Sequence, residues 1–333
     1  MDPLTQGVLG ASFSQSVSKK QHIVVAGILG LLSAMSPDLD VLIRSTSDPL
    51  LFLEYHRQFT HSLLFIPIGS LICCLVLHPV IAKKRGFTFK QSWLYCALGF
   101  SSHALLDACT SYGTQLLWPF SEQRFAWNMV SVVDPIFTLP IVALFVFAML
   151  KRNRCFVRIA LLWAVGYLVL AAVQRERAEE AGWQLAAERD HSPIRLQVKP
   201  SFGNILVWKV VYETNEHFYV DAVRIGTSAK YYQGSAIAKL DLQRDFPWLK
   251  NNSQQSQDVM RFNRFSEGYL AQDPHNNLRI IDVRYSMIPN QIKPLWSIQL
   301  SPSASEDAHV AYLTHREDSK ESTERLIEML FDF

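Results

Sequence analysis

Three short clusters of this chain combine carboxylates with imidazoles. Ser36-Pro37-Asp38-Leu39-Asp40 sets two carboxylates one residue apart at the end of an apolar run, His56, Arg57, Thr60 and His61 follow, and His103-Ala-Leu-Leu-Asp107 comes later. Carboxylate oxygen and imidazole nitrogen are the donors that bind zinc, or a harder divalent ion such as manganese. His103 and Asp107 are four apart, so on a helix they project from one face a turn apart and can share an ion; the competing explanation is a buried histidine clasped by a local carboxylate. Asp38 and Asp40 can converge on a common centre after Pro37, although such pairs in loops often only form turns. His56 and His61 do not share a helix face, so one is expected in the loop and the other in the first turn of an apolar segment starting near Thr60, a candidate N-cap.

Taken together, Asp38, Asp40, His56, His61, His103 and Asp107 are the expected metal ligands. Six donors exceed what one tetrahedral zinc uses, which predicts two ions bridged by a carboxylate. Zinc is favoured, with manganese as the alternative, and Asp38, Asp40 and Asp107 are the expected catalytic carboxylates. Either Asp38 or Asp40 can serve as bridge or base. Arg57 and Arg124 are the substrate-binding candidates, because a guanidinium holds phosphate or carboxylate in a bidentate fork; each can equally pair with Glu54 or Glu122. Asp134-Pro135 is explained by an N-cap followed by proline at N1, with Asp134 kept only as an outer ligand, and Asp48-Pro49 has the same explanation.

These clusters sit among long apolar runs, and the runs decide the architecture. The chain has 333 residues, 49% hydrophobic, with a net charge of only +2, so charge gives no reason to expect nucleic acid as a partner. Nearly all the apolar runs precede about residue 174, which predicts an α-helical membrane domain over 1–175 and a soluble α+β domain over 176–333. About five spans or re-entrant helices are expected, in the runs Ile23 to Met35, Ser62 to Ala82, Ser92 to Ala108, Ile136 to Leu150 and Phe156 to Val173. Residues 4–17, diluted by Gly, Ser and Gln, fit a packed helix, a re-entrant segment or a poor span. Met1-Asp2-Pro3 has no basic region, so no secretory signal is expected. The five cysteines lie in the apolar half and are read as small buried hydrophobes.

Lys19 and Lys20, then Lys83, Lys84, Arg85 and Lys90, then Lys151, Arg152, Arg154 and Arg158 fall in alternate connections without acidic residues among them. Such connections are expected to be cytoplasmic. The loops 36–61 and 109–135 and everything after Val173 then lie on the periplasmic side, and all three clusters reach one face. In the second half, a charged helix is expected over 174–190, strands over Ile205 to Tyr212, Phe218 to Ile225, Arg279 to Met287 and Leu295 to Leu300, and helices over 254–265 and 320–331. No catalytic motif stands out there.

The opening MDPLTQGVLGA, the SPDLD, the HRQFTHSLLF, the HALLDACTSYGTQLLWPFS and the VVDP occur in this order. Together they resemble the YdjM-like inner-membrane proteins, a family described as LexA-binding and as membrane-bound metal-dependent hydrolases. The resemblance covers roughly residues 1–175 and implies that the six Asp and His residues above are the family's metal ligands. Gln15 departs from it, since relatives tend to carry Glu in the first segment. A looser likeness of the PD, HxxxxH and HxxxD pattern to zinc-dependent phospholipase C and P1 nuclease points to phosphoester cleavage.

The resulting expectation is a multi-pass protein of the bacterial inner membrane that hydrolyses a lipid-linked phosphoester at the outer face, with Leu116, Leu117, Trp118 and Phe120 lining the acyl entrance. The alternatives are a metal-dependent peptidase or amidase, and a non-enzymatic sensor or assembly factor with a structural metal and a protein partner on the C-terminal domain.

Overall fold

The computed structural model describes residues 1–315 and 319–331. By its contacts the chain forms two compact units, one comprising 1–43, 54–172 and 202–204, the other 44–53, 173–201 and 205–333.

The first unit is helical. Helix α1 (Pro3–Val17) begins where it does because Asp2 accepts from Thr5 N and Pro3 takes the first helical position. It is a packed helix, with Gly7, Gly10, Ser12 and Ser14 buried. With α2 (Ile23–Met35) and α5 (Phe89–Ala108) it makes the core of the unit. Small residues set these crossings. A Cβ at Gly99 would come within 2.3 Å of the Gly30 carbonyl oxygen, and one at Gly10 within 2.3 Å of Ala34 Cβ. Hydroxyls close the remaining gaps, Ser14 donating to Tyr95 O at 2.7 Å and Ser33 to Cys96 O at 2.8 Å. Close backbone approach through glycine and serine is how helices associate where surrounding hydrocarbon removes the hydrophobic incentive.

The short helix α3 (Leu51–Tyr55) leads towards α4 (Ile66–Leu77), whose outward residues Ile68, Ile72, Leu75 and Val76 are exposed. An exposed face this uniformly apolar suits lipid rather than water. Three helical segments are long and apolar enough to cross a membrane: Lys20–Leu42, Leu63–Arg85 and Cys155–Glu188. Helix α5 has the length without the apolar content, and α6 (Pro135–Lys151) is apolar but shorter, so the expected count of about five spans reduces to three candidates. Asp134 caps α6 by accepting from Ile136 N and Phe137 N, both at 3.1 Å, and its other oxygen takes the Tyr167 hydroxyl at 2.8 Å. That accounts for Asp134 structurally. Tyr167 belongs to α7 (Cys155–Glu188), a single 34-residue helix that merges the expected last run with the charged stretch after it.

The basic connections gather at one end of this unit. Arg154 donates to Ser18 O at 3.4 Å, and the His22 and Phe87 rings lie 4.5 Å apart. Gln15 is here too, donating to Ile23 O, remote from the Asp and His clusters.

The second unit carries two four-stranded antiparallel sheets. In the first, β1 (Arg195–Pro200), β2 (Val207–Glu213), β3 (His217–Ile225) and β4 (Ala229–Ala238) pair in sequence order; in the second, β5 (Leu270–Asp273), β6 (Asn276–Asp282), β7 (Trp296–Gln299) and β8 (Ala311–Thr314) do the same. Helices α8 (Leu242–Asp245), α9 (Gln254–Phe265) and α10 (Ser319–Phe331) complete it. Within this unit, Leu50 is fully buried among Phe246, Val259 and Phe262, and Asp48 takes two bonds from Arg261, at 3.0 and 2.8 Å.

Candidate metal centre

Three elements deliver the donors. The chain leaves α2 through a 3-10 turn, Pro37–Leu42, that carries Asp38 and Asp40. A second 3-10 turn, Phe59–His61, carries His61, and the last two turns of α5 carry His103 and Asp107. Gly99, one turn before His103, lets α5 lie against α2 closely enough for the imidazole to reach the turn after Met35.

Four donor atoms converge. His61 Nε2 is 3.5 Å from Asp38 Oδ1 and 3.4 Å from Asp107 Oδ2; His103 Nε2 is 3.4 Å and 3.8 Å from the same two oxygens; and the two nitrogens are 2.9 Å apart. Donors at about 2.0 Å around a tetrahedral ion are separated by about 3.3 Å, so these five edges scatter about the value that such an ion needs.

Proton placement leads to the same place. Ala34 O can only accept, so His103 Nδ1, 2.6 Å away, must donate to it, which leaves Nε2 of the neutral ring as a bare lone pair. Thr60 gives its one hydroxyl proton to Asp40 Oδ2 at 2.7 Å, so its oxygen accepts from His61 Nδ1 at 2.9 Å, and in the neutral ring that metal binding requires, this Nε2 is bare as well. The Arg57 guanidinium and the Met1 amine meet Asp107 from outside the cluster, whereas the two lone pairs and the Asp38 oxygen face inward, a donor set suited to a cation. Asp107 Oδ2 is also buried without an aligned hydrogen bond. The residues fit a divalent cation, and this cluster could hold one.

Asp40 differs from Asp38. Its oxygens take His56 Nδ1 at 2.7 Å, Arg57 N at 3.0 Å and the Thr60 hydroxyl, and lie 3.3 Å from His61 Nδ1. It therefore fixes the rings of His56 and His61, the outer role that carboxylates take behind metal-bound histidines. Asp38, Asp40 and His56 also offer one donor atom each to a second group, at the more exposed side, and Asp38 is common to both groups. Thr60 serves Asp40 and is not an N-cap; the cap of the next turn is Ser62, which accepts from Phe65 N.

Both arginines are near, and both are engaged. Arg57, with a left-handed backbone (φ 62°), turns its N–H to Asp40 while its Nε lies 3.0 Å from Asp107 Oδ2 and its Nη1 donates to Thr110. Arg124 donates to the backbone carbonyls of His56 and Glu54, at 3.2 and 3.1 Å. Burial, reinforced by Arg57, pulls its guanidinium down to about 10.

Some contributors have no sequence signature. Gln6 donates to Asp107 Oδ1 at 2.8 Å and the Met1 amine bonds the same oxygen, which leaves Oδ2 for the centre. The only hint was a glutamine in an apolar segment. Of the four residues expected at an acyl entrance, Leu116 is buried with Ala104 and Ala108, while Leu117 and Phe120 are exposed.

A profile described as "YdjM inner membrane protein" matches residues 1–178, more than half the chain. Uncharacterized protein YfhP of Bacillus subtilis (strain 168) is 23% identical over 268 residues, covering 78% of this chain and 76% of that protein. Inner membrane protein YbcI of Escherichia coli (strain K12) is 35% identical over 109 residues, 31% of this chain and 60% of that one. No solved structure shows significant similarity.

Proposed function

Because the chain belongs to the YdjM inner membrane protein family and gathers His61, His103, Asp38 and Asp107 around one point, we propose that it is a membrane-embedded, metal-dependent hydrolase of a lipid-linked phosphoester. The observation that carries this reading is the pair of bare imidazole nitrogens facing two carboxylate oxygens with near-tetrahedral separations. Zinc suits that spacing better than an octahedral ion does, since octahedral neighbours at 2.0–2.1 Å lie only about 2.9 Å apart. Bound divalent ions supply Lewis acidity and a nucleophile at neutral pH.

The chain's own residues do the remaining work. Asp38, shared by both donor groups and 22% exposed, bridges them at the edge open to substrate. Asp40 holds His56 and His61 in register, and Arg57 holds Asp107. His56, 30% exposed, is the donor nearest solvent and completes the second group.

We place the centre at the periplasmic face of the inner membrane, in a multi-pass chain whose second unit is periplasmic. In support, the basic connections gather at the opposite end of the first unit, and Lys20 and Asp38 are separated by about 27 Å of chain if every step rises 1.5 Å. A cytoplasmic reporter fused after Arg175 is expected to stay inactive. This orientation leaves only short basic connections for a cytoplasmic partner such as LexA, whereas the second unit is available to a periplasmic protein.

The deciding experiment counts metals in detergent-purified wild type and His103→Ala, and assays both against phospholipids, lipid phosphates and peptides. Metal in the wild type, its loss in the variant and phosphoester turnover only in the wild type are expected. One observation favours a second reading, a sensor with structural metal: His61, His103 and Asp107 are all buried, which suits a closed shell. Metal without turnover of any phosphoester selects that reading, and turnover of peptides alone selects a peptidase or amidase.

A further inference from the structure

Beside the candidate centre, within the first unit, lies a groove of about 340 Å³. One end is formed by the residues that interleave with the donors: Pro37 precedes Asp38, Leu39 separates Asp38 from Asp40, and Thr60 bonds both Asp40 and His61. From there the groove follows α4 through Gly69, Ile72 and Val76 to Leu77, roughly 12 Å at 1.5 Å per residue from Gly69. Its floor is the Phe100 ring, which lies so close over Gly69 that a Cβ there would come within 2.3 Å of it. The polar groups of the lining, Ser36, Thr60 and the Cys73 thiol, belong to the end near the centre or to the wall facing it, Ser36 Oγ lying 3.0 Å from Cys73 Sγ. Ile72 and Val76, farther along, are exposed on the apolar face of α4.

An apolar groove that begins at Ser36 and Thr60 beside the candidate centre and runs along a candidate membrane helix is shaped for the tail of an amphiphile whose head lies at that centre. We infer that it holds one hydrocarbon chain of a lipid phosphoester, seated so that the phosphate lies at the Asp and His cluster. This inference rests on the proposed phosphoester chemistry for the head, and on the groove alone for the tail. Since the chain comes from hydrocarbon, the groove gains little by burying it; its role is to aim the ester, and misplacement by an ångström can cost on the order of a hundredfold in rate.

The test uses the full-length, zinc-loaded protein in lipid nanodiscs. A dodecyl phosphate with a diazirine at the far end of its chain is photolysed, and the label is located by peptide mass spectrometry, with the matching dodecanol probe as the reference for ordinary lipid contact. The expected result is phosphate-dependent labelling concentrated on Leu32, Ile72 and Val76, and about tenfold weaker in Ile72→Trp and in Val76→Trp. Both residues are exposed, so the indole fills the groove with the core intact, and unchanged metal content verifies that. Labelling spread over α4, α6 and α7 alike for both probes overturns the inference, as does labelling that neither tryptophan reduces. Turnover is read separately. Groove-specific labelling without hydrolysis of dodecyl phosphate upholds the groove and removes the phosphoester reaction, whereas hydrolysis of dodecyl and methyl phosphate at equal rates, unaffected by either tryptophan, removes the groove and keeps the reaction.

Discussion

Replacing Asp40 by Asn separates a residue that orients ligands from one that binds metal. The carboxylate receives His56 Nδ1, Arg57 N and the Thr60 hydroxyl and faces His61 Nδ1, all within 3.3 Å. An amide keeps one accepting oxygen and presents two donors on the other side. The cheaper orientation leaves the oxygen towards Arg57, Thr60 and His61 and sets the amide nitrogen against His56, whose ring answers by changing tautomer. The backbone turn at Arg57 and the proton on His61 Nδ1 then survive, but the negative charge behind His61 is gone. Loss of such an outer partner weakens metal binding by about 10- to 100-fold, or about 1.4 to 2.7 kcal/mol. Removal of a direct donor, in Asp38→Ala or His61→Ala, should cost more than that. Zinc affinities of the three variants, measured by competition with a chelator of known strength, should therefore rank wild type, Asp40→Asn, then the two alanine variants. If Asp40→Asn equals His61→Ala, Asp40 is itself a direct ligand; if it equals wild type, the negative charge behind His61 does not support the metal.

Three further outcomes follow from the packing. Gly99→Ala places a methyl against the Gly30 backbone, which cannot move aside as a side chain can; it should destabilise the first unit by about 1 to 3 kcal/mol and lower its zinc content, both read on the detergent-purified protein. Asp134→Ala removes a cap and strands the Tyr167 hydroxyl, for a combined cost of about 2 to 4 kcal/mol, read by thermal unfolding in detergent, and adding Tyr167→Phe should recover part of it. In the second unit, burial works to raise the Asp48 carboxyl, but the bonds from Arg261 outweigh it and hold the group below the usual range. A depressed carboxyl stabilises the fold above its unfolded pKa, near 3.9, and that contribution disappears as pH falls through the folded value. Protection in hydrogen exchange of the Leu50 amide, which donates to Asp48 Oδ1 at 3.0 Å, should accordingly decline below about pH 4 in wild type, and the acid-dependent part should be smaller in Arg261→Ala, where only the Arg261 share of the shift is lost.

What could be read from the residues was the donor chemistry and the apolar architecture, because both depend on residue type and local spacing. His103 and Asp107 share a helix face by arithmetic alone, and helix α9 occupies the expected 254–265. The strands were found where β-branched and aromatic residues cluster, as in β2 and β3, and missed where the run is short, as in β5 and β8, or largely exposed, as in β4. Expected strands also drifted by one to three residues at their starts, since Ile205 and Leu206 precede β2 and the β6 strand begins at Asn276. The different surroundings of Asp38 and Asp40 were not legible, because they depend on which side of a 3-10 turn meets His61, a tertiary fact. Gln6 is the clearest case. A glutamine in an apolar helix is ordinarily a cost, and only the fold places its amide 2.8 Å from Asp107. That bond occupies Oδ1 and so commits Oδ2 to the same point as the two imidazoles. If this reasoning holds, Gln6→Leu should spare the fold of α1, which is set by Asp2 and the glycines, yet weaken zinc binding by freeing Asp107 to rotate. A variant with unchanged zinc affinity would show that Arg57 and the Met1 amine fix the carboxylate without Gln6.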